Sequence, residues 1–138
     1  MTQEHKDLLL KDLCARLPYR IKGFAEHGVF KGIVTLRNIN IDNDCQPIAC
    51  YNNYSSLHVK VSEFKPYLFP LSSMTEEQRK ELQELYFDYI PDEIFNDTEF
   101  VYHYDCIHLI DWLNANHFDY RNLINKNLAI DCTNLNIY

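Results

Sequence analysis

The apolar positions near the start of the chain recur at helical spacing. Leu9, Leu13 and Leu17 fall at i, i+4 and i+8, with Leu10 and Cys14 alongside. Thr2 stands where a cap can accept an early amide, and Pro18 bars the residue before it from the helical region. The pattern therefore predicts an N-terminal helix ending at Pro18.

Beyond Pro18 the period shortens toward two. Tyr19-Arg20-Ile21-Lys22 alternates apolar and polar, and Val29 to Ile41 is a long β-type run. Ile48 to Tyr51 and Leu57 to Val61 read as two more strands. Turn chemistry separates them at Glu26-His27-Gly28, Asp42-Asn43-Asp44 and Asn52-Asn53. Four or five short antiparallel strands at this spacing predict a small half-open barrel or curled sheet.

A stiff run, Lys65 to Gln78, is bracketed by Pro66 and Pro70 and leads into Thr75-Glu76-Glu77-Gln78, a capping box. The helix it opens carries Leu82, Leu85, Tyr86 and Tyr89 on one face and stops at Pro91. An acidic loop, Asp92 to Glu99, separates it from a second helix over Tyr104 to Asn116 that buries Cys106, Leu109, Ile110 and Leu113. Trp112 on that helix reads as a core or interface anchor. Asp119 caps a short third helix over Tyr120 to Asn125, with Asn127 as its left-handed cap and Leu128-Ala129-Ile130 as a last strand. The expected fold is α+β in one domain: an N-terminal helix (1–18), a small antiparallel barrel or curled sheet (19–70), and a lobe of two to three helices packed on it (71–138).

Composition narrows the chemistry. The chain of 138 residues has a net charge of −7, which disfavours sequence-independent binding to DNA or RNA polymers. Five cysteines, an odd number with no C-x-x-C, point to a reducing cytoplasmic setting rather than a disulfide framework. No apolar run is long enough to span a membrane.

His103, Asp105, Cys106, His108 and His117 are the metal candidates, but they follow no zinc spacing, and no metal or other cofactor is expected. Asp42-Asn43-Asp44 opens like a calcium loop, yet Pro47 stands at the glycine position and Asn53 at the terminal carboxylate. Asp88, Asp92, Glu93, Asp97 and Glu99 offer carboxylates for acid–base work, but a loop of this charge reads as a solvated connection or a partner-facing surface. No nucleophile or phosphate-loop signature is present, so the chain is not expected to be an enzyme.

The β half is locally basic. Arg20, Lys22, Lys31, Arg37, Lys60 and Lys65 interleave there with Tyr19, Phe24, Tyr51 and Tyr54. This is either an ordinary solvated sheet face or a pocket that stacks an aromatic ligand and holds its anionic group.

Three stretches resemble an uncharacterised family of small proteins from gut Bacteroides-type bacteria and their phages and mobile elements: Asp12 to Tyr19, Lys65 to Gln78, and Asp111 to Ile124. The resemblance brings no catalytic residues. This chain departs from the family where Asn127 replaces a common glycine and where the tail reads Asp131-Cys132-Thr133-Asn134. The resemblance implies action by binding, either sequestering a nucleotide-like signal of host defence or occluding a host protein. The expectation is a non-enzymatic binding protein for a small anionic, nucleotide-like ligand, with Tyr19, Arg20, Lys22, Tyr67 and Arg121 as ligand-binding residues. The alternative is a protein–protein inhibitor or adaptor using the acidic helical half. A homo-oligomer is compatible with either.

Overall fold

The computed structural model describes residues 1–40, 48–51, 56–86 and 107–138. The expected turns at 42–44 and 52–53, the acidic loop 92–99, which is part of the acidic helical half that the adaptor alternative uses, and His103, Asp105 and Cys106 lie outside them.

Helix α1 (Gln3–Arg16) starts as expected, with the Thr2 hydroxyl accepting the His5 amide. Its buried face differs from the expected one. Leu9 and Leu13 are inside, Cys14 is exposed, and the charged pair Asp12 and Arg16 is fully buried. Pro18 lies in a 3₁₀ turn, Leu17–Tyr19, and Arg20 then takes a left-handed backbone. That turn replaces the strand expected at Tyr19, so β1 begins at Lys22.

Strands β1 (Lys22–His27), β2 (Phe30–Ile39), β3 (Ile48–Tyr51) and β4 (Ser56–Val59) form an antiparallel meander. Gly28, with φ 60°, makes the first turn. The expected antiparallel barrel is not what forms: the sheet is open and mixed. Its hub is β5 (Phe64–Pro70), formed by the proline-bracketed run. It pairs antiparallel with β1 and parallel with two short strands, β6 (Phe118–Asp119) and β7 (Ile130–Asp131).

Gly23 is needed where β1 crosses β5. A Cβ there would lie 2.3 Å from the Phe64 ring and 2.7 Å from the Lys65 carbonyl oxygen. Both the ring and the backbone would have to move. Gly23→Ala is expected to cost about 1–3 kcal/mol, the usual range for overpacking. Chemical denaturation of the variant measures it, and a change near zero would mean that β1 and β5 separate freely.

One core collects Leu9 and Leu13 of α1, Ala25, Val34, Leu36 and Phe64 of the sheet, and Leu123 and Leu128 of the last segment. A second joins Leu71, Met74 and Leu82 to Leu109, Trp112, Leu113, Phe118 and Tyr120. Its helices are α2 (Glu76–Tyr86) and α3 (Ile107–Ala115). The α2 capping box forms as expected: Gln78 Oε1 accepts the Thr75 amide, and Thr75 Oγ1 accepts the Gln78 amide. Trp112 is buried and stacks on Phe118, 8° from parallel at 5.7 Å.

The expected third helix is absent. Residues 120–129 form turns, because the Asp119 carboxylate accepts the amides of Arg121, Leu123 and Ile124. Asn127 does take the left-handed backbone, and the last strand is two residues long, at Ile130–Asp131. No described helix is long and apolar enough to cross a membrane.

Candidate functional site

The buried charges face one another, although Arg16 Nη1 has no hydrogen-bond partner. Arg16 Nε donates to Asp12 Oδ2 at 2.7 Å, and Arg16 Nη2 donates to the Phe118 carbonyl at 2.7 Å. The Arg121 Nε sits 3.2 Å from Asp12 Oδ1, and Arg121 Nη2 donates to the Tyr120 hydroxyl. That hydroxyl donates in turn to Asn114 Oδ1. The guanidinium carbons of Arg16 and Arg121 lie 5.2 and 4.9 Å from the Tyr120 ring centre, within cation–π range. Burial pushes the Asp119 carboxyl above its ordinary range, while its amide donors and Arg16 pull it back. The cluster pins α1 to the segment after α3. The Asp12 carboxylate faces two guanidiniums and the Asp119 carboxylate three backbone amides, an arrangement suited to a staple.

A groove of about 460 Å³ lies on the outer sheet face, lined by Phe24, Glu26, Ser62, Glu63, Lys65 and Ile130. Its charges already have partners: Glu26 with Lys31, Glu63 with His27 and the Lys60 amide, and Lys65 with Asn127. Burial pushes the Glu63 carboxyl up, but the Lys60 amide and His27 outweigh it and leave it below the ordinary range. With its charges internally matched, the groove has no evident selectivity for an ion.

A third locus has a different character. The Tyr138 ring stacks on His117, 15° from parallel with centres 3.8 Å apart, and tilts against Phe69 at 6.1 Å. The Lys22 ammonium is 5.5 Å from the Tyr138 ring centre and donates to the Ile137 carbonyl. The Tyr138 hydroxyl accepts the Lys22 amide at 3.1 Å and donates to the Tyr67 carbonyl at 3.0 Å. The last direct pair between β1 and β5 is Gly23 with Pro66, so the hydroxyl bridges the next two residues in register. It is a side-chain rung added to the ladder.

His117 is held there at a cost. Its backbone is left-handed, with φ 61°, just after the C-terminus of α3, where glycine is usual. A non-glycine residue gives up about 1–2 kcal/mol in that region. The ring is buried, and its Nδ1 has no hydrogen-bond partner. Burial, then the charges of Arg16 and Lys22, push the imidazole down to about 4, so it is neutral at pH 7.

No protein-family model, curated protein or solved structure matches this chain.

The five expected ligand residues fall into two groups and a remainder. Lys22 and Tyr67 meet at Tyr138, Lys22 through its ammonium and amide and Tyr67 through its carbonyl. Tyr67 itself is buried, pushed upward in pKa first by burial and then by Cys132. Tyr19 and Arg121 lie instead around Tyr120; burial and then Asp111 push the Tyr19 hydroxyl up. Arg20 is exposed, two residues before Lys22. His117 and Tyr138 were not among the expected residues. The sequence signal for His117 was its position: a histidine just past a helix end, before a β-type pair, where a glycine would be ordinary.

Among the described residues no three His, Cys, Asp or Glu side chains converge as a metal site. His108 is exposed on α3.

Proposed function

We propose that this chain is a non-enzymatic binding protein for a small, planar, anionic ligand of nucleotide type, taken at the end of β1 and β5. The observation that supports this reading is the aromatic stack of Tyr138 on His117, set beside the Lys22 ammonium and within the field of Arg16. A flat ring fits a surface that already stacks one. An anionic substituent is favoured by Lys22 and by exposed Arg20, since charge-assisted hydrogen bonds are the stronger kind.

The test is native mass spectrometry of the protein with a pool of mono-, di- and cyclic nucleotides. A stoichiometric mass increment, released on denaturation, is expected. Lys22→Ala and Arg20→Ala should each weaken capture about ten- to a hundredfold, the loss of one charge-assisted bond worth roughly 1.5–3 kcal/mol. Arg20→Ala should leave the melting temperature unchanged. No increment from any nucleotide would overturn the reading and turn attention to a protein partner.

A further inference from the structure

The Tyr138 ring is a side chain placed as a ligand would be. One face stacks on a buried imidazole, a cation lies near the ring, and its polar end makes two backbone hydrogen bonds. The segment carrying it is lightly held. Cys132 is buried, and its amide is fixed to the Leu68 carbonyl at 3.0 Å, whereas residues 133–136 are all exposed. Beyond that tether, the Thr133 amide and hydroxyl donate to the Asp131 carboxylate of β7, and the far end of the segment is held by the two bonds of the Tyr138 hydroxyl, by the Lys22 ammonium on the Ile137 carbonyl, and by a weaker 3.4 Å contact to the Lys22 carbonyl.

His117 supplies the independent observation. It is more than nine-tenths buried, strained in backbone, and carries an unpartnered Nδ1. A buried polar nitrogen without a partner costs roughly 1–3 kcal/mol, a cost the stacked tyrosine does not offset by hydrogen bonding. A strained residue with an orphaned polar atom, under a removable ring, has the features of a binding surface occupied by a stand-in.

We infer that Tyr138 is a built-in occupant of an aromatic-ligand slot, formed by His117, Phe69 and the Lys22–Tyr67 end of the sheet, and that the tail from 133 onward gates it. The inference rests on the ligand-binding reading above and adds its regulation: an external planar ring enters only as the chain's own ring leaves. Apparent affinity is then reduced by the fraction of molecules with the tail in place.

The probe is p-cresol, the free equivalent of the tyrosine side chain, titrated into the full chain carrying Tyr138→Ala. It is expected to raise the melting temperature of this variant by several degrees and to shift the His117 ring-proton resonances, with neither effect in the wild type at the same concentration. If Tyr138→Ala does not fold, Tyr138→Phe serves: its ring lacks the hydroxyl bonds, so p-cresol should displace it at about tenfold lower concentration than in the wild type, read from the same resonances. No change in the His117 resonances of either variant would overturn the gated slot. A nucleoside monophosphate in parallel separates the two readings. Binding of p-cresol alone keeps the slot and rejects the nucleotide. Binding of the nucleotide without any His117 shift keeps the function and rejects the slot.

Discussion

Arg16→Ala is expected to lower folding stability by about 3–5 kcal/mol, the range for removing one partner of a buried ion pair. Both side chains of the Asp12–Arg16 pair are fully buried. Deleting the guanidinium would strand the carboxylate beside Arg121 and leave the Phe118 carbonyl without its donor. Urea denaturation at pH 7 measures the loss. The double variant Asp12→Leu with Arg16→Met should cost clearly less than the sum of its single changes, because no carboxylate is then left facing an empty place. A cost for Arg16→Ala below about 1 kcal/mol would mean that water reaches the cluster and that it is not a staple, since exposed pairs are worth that little.

The second large effect is in pH dependence. Folding pushes the His117 imidazole from 6.5 to about 4. The unfolded chain therefore binds more protons than the folded one throughout that interval, and stability rises with pH across it. The contribution of neutral His117 is full above about 6.5 and is lost as pH falls toward 4, a loss of about 3 kcal/mol at 1.36 kcal/mol per unit. His117→Asn keeps a side chain tolerant of the left-handed backbone and removes the titration. Its stability should run flatter than the wild type between pH 6.5 and 4, and the difference between the two curves isolates His117 from the carboxylates. Parallel curves would show that protonated His117 is accommodated, in conflict with its burial.

What was legible in the sequence was local. Thr2 and the Thr75–Gln78 box cap their helices through bonds three residues apart, and such signals survive any tertiary arrangement. The strands from Lys22 to Ile39 carry their pairing in hydrophobic pattern and a glycine turn. Where the structure departs from the local pattern, a distant group decides. Asp12 and Arg16 stand at i and i+4, a spacing common for ion pairs on exposed helix faces. They are buried because a carbonyl at Phe118 and a guanidinium at Arg121 complete them. Pro66 and Pro70 argue against a strand, since each removes a ladder donor. Even so, Phe64 to Pro70 is a strand that pairs with three others, because each of those pairings is only two or three residues long. The spacing of Leu123 and Ile124 looks helical after an acidic cap, but Asp119 takes three amides of that segment with its own oxygens and closes it as turns. Lys22 and Tyr67 carry the residue types of a ligand site, but no local pattern says that they meet. Their meeting point, Tyr138, lies 116 residues from Lys22 along the chain, a separation that no local pattern encodes.

The placement of β5 also sets an order of assembly. Its antiparallel partner lies some forty residues earlier in the chain, so β1, β2 and β5 can associate while the chain behind them is still unformed. Its parallel partners lie around fifty and sixty residues later, and loop closure over such lengths is entropically costly. During that interval Tyr67 to Pro70 presents unpaired backbone flanked by Leu68 and Phe69, the composition of a sticky sheet edge. Pro70, one of the two prolines that obscure the segment as a strand, also removes a donor that this stretch could offer to a neighbouring molecule.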